Sequence, residues 1–388
     1  MPNIKTGKDC SGCTACFVAC PQHAITMQPD SMGFNYPIVD SKKCIECGLC
    51  EKVCSFNDDY PKSSDFDAPI PFGVRLKDIS EVMKSRSGGA FVAFSDYILN
   101  QGGVIYGAGF GDSFVIKHQR AENKEQRDNF RGSKYVQSDL SDIFAQVKND
   151  LESRKVLFSG TPCQVAGLKS YIPKRLHSNL VTVDIVCHGV PSPFIWKDYL
   201  KYIQNKEDKD IVEVNFRNKS MFGWKAHKET FKLKNRTNDI VNIKSFNIFT
   251  NLFYQHVILR PSCSNCKFCN LKRPSDLTLA DFWGWEKTDK DINKDDKGLS
   301  LILVNSKKGE EVFNNVKQQF NIIYPKIEDC LQPCLERPYE LNPKSNKFVK
   351  DYQRFGFKYI LFMYSNIGPV YKLSNLLKRV GRKIKRLF

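Results

Sequence analysis

The sequence contains no run of about 18 consecutive apolar residues, the length that a membrane-spanning helix needs. Its first ten residues, MPNIKTGKDC, are polar and lack the apolar core of a secretory signal peptide. Apolar residues make up 41% of the 388 positions, near the globular level, which excludes a wholly disordered chain. These absences predict a cytoplasmic protein, and the length of 388 residues allows two or three domains.

Acidic residues are missing from the last 17 positions, which hold seven of the basic residues behind the net charge of +17. Because much of the charge belongs to this tail, we predict no nucleic-acid binding. Residues 370–388, VYKLSNLLKRVGRKIKRLF, place their apolar side chains on one helical face. The pattern predicts a basic amphipathic helix at the inner face of a membrane. A helix packed on the core or on an acidic partner protein is the alternative.

Cysteine is abundant, and eight of the 15 cysteines lie between Cys10 and Cys54. Residues 10–21, CSGCTACFVACP, and residues 44–54, CIECGLCEKVC, repeat one spacing with an offset of 34 residues. In bacterial ferredoxins, three cysteines of such a run bind one [4Fe–4S] cubane and the fourth binds the other cluster. A zinc site, the alternative, would leave cysteines over.

This spacing predicts two clusters in a ferredoxin-like module, and we expect the fourth cysteine of each run to open a short helix. The predicted ligands of one cluster are Cys10, Cys13, Cys16 and Cys54, and those of the second are Cys20, Cys44, Cys47 and Cys50.

The remainder of the chain alternates helix-like and strand-like segments, after a polar linker rich in Pro, Ser and Asp. GGAFVAFSDYILNQGG predicts a helix closed by glycines, whereas VIYGAGF, KVLFSG and LVTVDIVCHG predict short strands. The chain is therefore predicted to be α/β or α+β. A dicluster module comes first, then a mixed-sheet α/β domain and a C-terminal basic helix.

Five blocks in this body occur in a recognisable order: SRSGGAFVAFSDYILNQGGVIYGAGF, FRGSKYVQSDL, FSGTPCQVAGLKSYI, DIVCHGVPSPFIWKDYL and LRPSCSNCKFCNLKRPSDLTLADFWGW. Together they resemble the β-subunit family of coenzyme F420 hydrogenases and dehydrogenases, in the bacterial branch often found beside polysaccharide genes. The resemblance implies FAD, which exchanges hydride with a deazaflavin or another partner and single electrons with iron–sulfur clusters. The expected domains are 1–58 (ferredoxin-like), 59–72 (linker), 73–150 and 151–345 (N- and C-terminal β-subunit regions), and 346–388 (helical basic tail).

The candidate flavin contacts lie in three of these blocks. Bare glycine backbone at a helix N-terminus can approach a pyrophosphate, although a plain N-cap explains the same residues. The GSKY-x-QS block offers donors and a cation on a loop, and a third segment ends a strand where α/β folds bind ligands. The candidates are Ser87, Gly88, Gly89, Gly132, Ser133, Lys134, Tyr135, Gln137, Ser138, Gly160 and Thr161.

Four cysteines within the family's blocks imply a third [4Fe–4S] cluster, namely Cys163, Cys187, Cys263 and Cys266. Cys269 could replace Cys187 as the fourth ligand. Buried structural thiols or a zinc site are the alternatives. We interpret Cys330 and Cys334 as incidental.

His188 follows Cys187 and is the candidate for proton transfer near the flavin, against the alternative of a histidine bonded to a backbone carbonyl. Residues of the RPSD…DFWG block could close the pocket or form a structural Arg–Asp pair: Arg273, Asp276, Asp281 and Trp283.

Three functions fit these patterns. The first is an iron–sulfur flavoprotein oxidoreductase that takes electrons from a ferredoxin or similar donor and passes them to an organic acceptor or F420-like deazaflavin. The second is a non-catalytic relay subunit that docks to a partner oxidoreductase, in surface-polysaccharide synthesis for example. The third is a basic peripheral scaffold whose cofactors act as sensors.

Overall fold

The structure, a computed structural model, describes residues 2–57, 65–234, 240–241 and 247–373. Residues 374–388, which carry most of the predicted amphipathic helix, lie outside the described residues. Among the helices that are described, none is both long and apolar enough to cross a membrane.

The N-terminal module is built around a two-stranded antiparallel sheet of β1 (Ile25–Pro29) and β2 (Asn35–Val39). Each cysteine run carries one short helix, α1 (Ala15–Ala19) or α2 (Leu49–Lys52). The expectation that the fourth cysteine opens a helix is wrong, because Cys20 is the C-terminal cap of α1. The four-residue step from Cys16 to Cys20 is one helical turn, so the helix lies between the third and fourth cysteines.

The body contains an eight-stranded mixed sheet in the order β13-β3-β12-β11-β7-β6-β4-β5. A separate antiparallel sheet joins β10, β9 and β8. The strands are β3 Ile70–Leu76, β4 Val104–Phe110, β5 Ile116–Ala121, β6 Val156–Gly160, β7 Leu180–Ile185, β8 Ile211–Asn215, β9 Thr230–Leu233, β10 Ile240–Val241, β11 Leu277–Asp281, β12 Ser300–Val304 and β13 Phe320–Ile323.

Helices connect and cover these strands. They are α3 Ile79–Lys84, α4 Ala90–Leu99, α5 Lys124–Asp128, α6 Ile143–Leu151, α7 Pro162–Tyr171, α8 Pro193–Glu207, α9 Lys219–Phe222, α10 Ile248–Tyr254, α11 Lys307–Val316 and α12 Ser345–Met363. The predicted α4, β4, β6 and β7 and the mixed-sheet α/β class are confirmed. Strand β3 begins at Ile70, within the segment expected to be linker.

Four central strands, β4, β6, β7 and β11, run parallel, so their carboxyl ends meet at one edge of the sheet. Cys163, Cys187 and Trp283 follow β6, β7 and β11 at that edge. The carboxyl edge is where α/β sheets place their ligands, so the topology gathers three of the singled-out segments at one place.

The N-terminal module and the body share apolar cores. Ala15 and Val53 belong to the same buried cluster as Phe144 of α6 and Leu168 of α7. Phe34, on the other side of the module, joins a second cluster formed largely by α8, α10 and α12. The module is therefore packed against helices of the body, α6 and α7 on one side and α8, α10 and α12 on the other.

Candidate functional site

Two cavities in the module are lined by the two predicted groups of four cysteines. The first, with an empty volume of about 360 Å³, is lined by the outer set, Cys20, Cys44, Cys47 and Cys50. The second, of about 460 Å³, is lined by the inner set, Cys10, Cys13, Cys16 and Cys54. Cys50 also reaches the second cavity, so the two lie side by side.

The lining of these cavities fits cubanes. Among the described residues, no group of three or more His, Cys, Asp or Glu side chains is arranged around a single metal ion. In a cubane each thiolate binds a different iron atom, so the ligands surround a cavity rather than a point. Backbone N–H groups already point at sulfur, from Gly12 to Cys10 Sγ (3.4 Å) and from Ala24 to Cys20 Sγ (3.3 Å).

The outer and inner sets differ in their access to solvent. Cys47 is exposed, whereas the other fourteen cysteines are partly or fully buried. Burial, helped by the neighbouring thiols of Cys10, Cys54 and Cys163, raises the pKa of Cys13 to about 12. The outer set therefore faces solvent, and the inner set faces the body.

The four cysteines implied for a third cluster come together in the body. Burial raises the pKa of Cys187 well above its usual value, and Cys263, Cys163 and Cys266 raise it further. Cys266 and Cys163 act on Cys263 in the same way, and Cys266 acts on Cys163. Every pair among these four thiols thus interacts, and we call them the body set.

Cys269 lies at the edge of the body set. It interacts with Cys266, Cys187 and Cys334, which makes Cys187 the better-centred fourth member. Cys334, expected to be incidental, therefore contacts the cysteine-rich region. Cys330 instead donates its thiol to the carbonyl of Lys326 (3.3 Å).

Local structure positions Cys163 and Cys187 of the body set just after the ends of β6 and β7. Cys163 is the second residue of α7, whose N-terminus is closed by a capping box between Thr161 and Gln164. The Thr161 hydroxyl lies 3.2 Å from Cys163 Sγ. Gly160 and Thr161, predicted to contact the flavin, therefore lie beside the body set.

The inner and body sets meet across α7. Gly167 lies one turn after Cys163 on the buried side of this helix, facing Cys13. A Cβ atom at position 167 would lie 2.7 Å from Cys13 Sγ and 3.0 Å from Cys13 Cβ, closer than packing allows. Glycine is therefore what permits this close approach.

Arg260, which the sequence interpretation did not single out, lies at the same junction. Its side chain is 1% exposed and donates from Nε to the carbonyl of Cys10 (2.9 Å) and from NH1 to Oε1 of Gln137 (2.8 Å). Its charge lowers the pKa values of Cys163 and Cys263, partly offsetting the effect of their burial. The sequence signal that could have pointed to Arg260 is its position in the LRPSC stretch at the start of the fifth block.

The loop predicted to bind the flavin divides between two surroundings. Gln137 and Ser138 point into the module junction, where Gln137 donates to the carbonyl of Ser11 (3.1 Å) and Ser138 Oγ lies 2.9 Å from His118 Nδ1. Lys134 donates to two loop carbonyls, and burial lowers its pKa to about 7. Gly132 and Ser133 are exposed.

Gly88 and Gly89 are buried against the sheet. A Cβ at Gly88 would lie 2.2 Å from the carbonyl oxygen of Val74, and the Gly88 N–H donates to Ser300 Oγ (2.9 Å). The Ser87 hydroxyl donates to the carbonyl of Leu299 (2.7 Å). Close packing on β3 and β12 thus explains Gly88 without a phosphate.

A positively charged site lies next to this segment, and we call Arg86, Tyr135, Arg217, Asp281 and Trp283 the cation–aromatic site. Arg217 donates to Asp281 (2.5 Å) and to the Tyr135 hydroxyl (3.3 Å), and its guanidinium stacks 5.7 Å from the Trp283 ring centre. Arg86 donates to the carbonyl of Arg217 (3.1 Å). Although burial raises it, these two arginines hold the pKa of Asp281 below its usual value.

Two donors in this site have no acceptor. The buried Nε atoms of Arg86 and Arg217 lack a hydrogen-bond partner within the described part of the chain. Buried N–H groups of this kind are normally paired. Asp281 and Asp296 balance part of the charge of Arg86, and the two unpaired N–H groups fit an anionic group.

Three histidines adjoin it. His188 lies 2.8 Å from His256 (Nε2 to Nε2) and stacks on Tyr339 at 4.0 Å between ring centres. His227 Nδ1 lies 2.6 Å from the Tyr254 hydroxyl. Burial lowers the pKa of His188 and of His227 to about 4, helped by His256 and by Arg217 respectively. Both are therefore neutral near pH 7.

Arg273 and Asp276, the other two residues singled out in the RPSD…DFWG block, make contacts that stabilise the fold. Arg273 pairs with Asp184 (3.0 Å) deep in the sheet, and Asp276 accepts from the backbone N–H of Thr182 (2.8 Å). Asp281 and Trp283, by contrast, belong to the cation–aromatic site.

Comparison with known proteins agrees with the cysteine pattern and the ordered blocks. Residues 153–329 match the family described as the C terminus of the coenzyme F420 hydrogenase/dehydrogenase beta subunit, and residues 9–57 match the 4Fe-4S dicluster domain. The predicted resemblance and the dicluster module are thereby confirmed.

The chain is also similar to individual proteins. It is 24% identical over 367 residues to the coenzyme F420-dependent sulfite reductase of Methanocaldococcus jannaschii, covering 88% of this chain and 52% of that protein. The chain thus spans about half the length of this relative. A chain of the F420-reducing [NiFe] hydrogenase complex from Methanosarcina barkeri aligns with a TM-score of 0.46 and 17% identity, over 75% of this chain and 88% of that one.

Proposed function

We propose that this chain, a 4Fe–4S dicluster domain joined to the C-terminal region of the F420 hydrogenase/dehydrogenase β-subunit family, is an iron–sulfur flavoprotein oxidoreductase. The three cysteine sets would hold [4Fe–4S] clusters, which would supply one-electron transfer between a ferredoxin or similar donor and FAD. The acceptor would be an organic compound or an F420-like deazaflavin. The observation that carries the proposal is that the outer set lies next to the inner set and the inner set next to the body set.

Contacts between neighbouring sets support this order from the outer set through the inner set to the body set. Cys47 opens the outer set to solvent, and Cys50 lines both module cavities. Cys13 of the inner set contacts α7 one turn from Cys163 of the body set. At the far end, Cys187 is followed directly by His188, beside the histidines that adjoin the cation–aromatic site.

The cation–aromatic site is where we propose that FAD binds. The unpartnered Nε atoms of Arg86 and Arg217 would pair with its phosphate oxygens, since guanidinium groups bind such anions well. The Trp283 ring, stacked on Trp224 at 4.5 Å between ring centres, helps to hold the Arg217 guanidinium in this site. A bound flavin supplies the exchange between one-electron and two-electron chemistry.

His188 is proposed to hold the proton that accompanies electron transfer. His256 donates from Nδ1 to the carbonyl of Glu340 (3.1 Å), so in its neutral form its Nε2 is an acceptor. His188 must then donate from Nε2 to His256, which leaves His188 Nδ1 as a proton acceptor. The pair thus fixes the tautomer of His188.

The second candidate is a relay subunit that delivers electrons to a partner oxidoreductase. It is favoured by the similar sulfite reductase, of which this chain covers only about half. A surface-polysaccharide pathway and reversible membrane contact through residues 370–388 belong to the same proposal. Sedimentation with anionic liposomes, comparing the full chain with a truncation after Pro369, tests the membrane contact.

Anaerobic purification followed by iron and flavin analysis and an acceptor screen tests the function. We expect about twelve iron atoms and one FAD per chain. Reoxidation of the reduced protein by a small acceptor identifies an enzyme, and reoxidation only by a protein identifies a relay. Four or fewer iron atoms with stoichiometric zinc would contradict both.

A further inference from the structure

We propose that Arg260 is a positioning residue that locks the inner cysteine set against the body set and raises the reduction potential of the clusters on both sides. This inference rests on the proposed function, since it assumes clusters at both sets. It assigns a role to a cation that is buried where the two parts of the chain meet.

The contacts of Arg260 reach across the junction. Its Nε and NH2 atoms donate to the carbonyls of Cys10 and Asn35, both at 2.9 Å, and NH2 lies 3.9 Å from Cys10 Sγ. Its guanidinium stacks on Tyr36, 4.2 Å from the ring centre. Arg260 therefore binds two separate segments of the N-terminal module.

The same residue is tied to the body set through its backbone. The Cys263 N–H donates to the Arg260 carbonyl (3.0 Å), and the Arg260 N–H donates to the carbonyl of Val190 (2.9 Å). Val190 in turn donates from its N–H to Cys263 Sγ (3.4 Å). Arg260 therefore holds the inner set through its side chain and the body set through its backbone.

The charge of Arg260 is uncompensated by its nearest acceptors. These acceptors are carbonyl oxygens and the amide oxygen of Gln137, and within the described residues no carboxylate forms an ion pair with it. In a buried site its field is poorly screened. Because a cubane becomes more negative when it gains an electron, a nearby cation favours the reduced form and raises the potential.

The neighbouring backbone makes room for this side chain. A Cβ atom at Gly12 would lie 2.8 Å from Arg260 NH1 and 2.9 Å from the Asn35 carbonyl oxygen. Gly12 also has φ +69°, a conformation that glycine adopts without strain. Gly12, inside the first cysteine run, is therefore needed to leave space for the Arg260 side chain. This requirement is separate from any that the cluster imposes.

The outer set receives no contact from Arg260 among the residues described. The inner and body clusters should consequently be easier to reduce than they would be without the arginine, which favours electron flow inward from the exposed end.

The test compares Arg260→Gln with Arg260→Lys in the anaerobically purified full chain, by redox titration followed by electron paramagnetic resonance. We expect Arg260→Gln to lower the potentials of the inner and body clusters by at least about 59 mV, a tenfold change in a one-electron equilibrium. Arg260→Lys, which keeps the charge, should stay near the wild-type values. The outer cluster is the internal control. Arg127→Gln removes another buried arginine, paired with Asp96, and should shift no potential.

Equal potentials in Arg260→Gln and wild type, at full iron content, would overturn the proposal, as would an equal fall in Arg260→Lys. If Arg260→Gln loses iron, Gln137→Glu decides, because it places a negative charge on the Arg260 acceptor at almost unchanged volume. A lowered potential in that variant supports the proposal, and an unchanged one overturns it. Wild-type protein without iron would instead defeat the proposed function itself.

Discussion

The module cysteines and the body cysteines reach similar arrangements by opposite routes. The outer and inner sets come from two runs of 11 residues each, with only Cys20 and Cys54 exchanged between them. The body set draws on three segments: Cys163 and Cys187 follow the parallel strands β6 and β7, whereas Cys263 and Cys266 lie in and directly after a 3₁₀ turn, Pro261–Asn265, that comes after α10. The comparison teaches that spacing alone can specify a ligand set only where the chain is short between ligands. Where the ligands are far apart in the chain, the tertiary fold determines which of them come together.

The largest expected effect is the loss of the body cluster while both module clusters remain. Cys263→Ser should reduce iron from about twelve to about eight atoms per chain, because it removes one body ligand and leaves both module sets intact. Iron analysis and the resonance spectrum of the reduced protein measure this. An unchanged iron content would remove Cys263 from the proposed ligands.

The next prediction concerns the site that the body set adjoins. Arg217→Gln removes a cation from the cation–aromatic site, and we expect FAD to bind roughly tenfold more weakly or worse, as for the loss of a charged hydrogen bond. Extraction and titration of FAD check it, with iron content unchanged. Arg354→Gln, at an exposed position, is the matched control. Full flavin affinity in Arg217→Gln would place the flavin elsewhere.

The contact between the two regions can be loosened directly. Gly167→Ala gains helix propensity but drives a methyl group against Cys13, and overpacking of this kind costs about 1–3 kcal/mol. We expect a lower thermal midpoint and weaker magnetic coupling between the reduced inner and body clusters. Ser170→Ala, on the same helix, should change neither. A Gly167→Ala protein as stable and as strongly coupled as wild type would show that the sets do not depend on this contact.

The smallest effect is expected at a body cysteine that belongs to none of the three cysteine sets. Cys330 is fully buried, and its thiol bonds only locally to the carbonyl of Lys326. Cys330→Ala should lower stability by about 1 kcal/mol through the lost buried sulfur and leave iron unchanged. A loss of iron in this variant would extend the body set beyond its four members.

The same contrast explains what the sequence could predict. The repeated cysteine spacing, α4 and the strands β4, β6 and β7 follow from local patterns, and the structure contains them. Gly88 was interpreted as a phosphate contact because a glycine at a helix start has two explanations. Only the folded structure, in which a Cβ at position 88 would lie 2.2 Å from the Val74 carbonyl oxygen, reveals that packing on the sheet requires glycine there.

Arg260 and Gly167 were missed for a different reason. Their importance arises from contacts with Cys10 and Cys13, more than 150 residues away in the chain, which no local pattern encodes. Arg86 and Arg217 are likewise joined only by folding. Long-range packing, rather than residue type, defines these positions.

Because Cys47 is exposed, the clusters should be damaged by air in a fixed order. Oxygen and chelators reach the outer set first, whereas the inner and body sets are shielded by the packed junction. Damage should therefore begin at the entry point. A partly oxidised sample would keep most of its brown colour while it no longer accepts electrons from outside, so colour is a poor measure of an intact preparation.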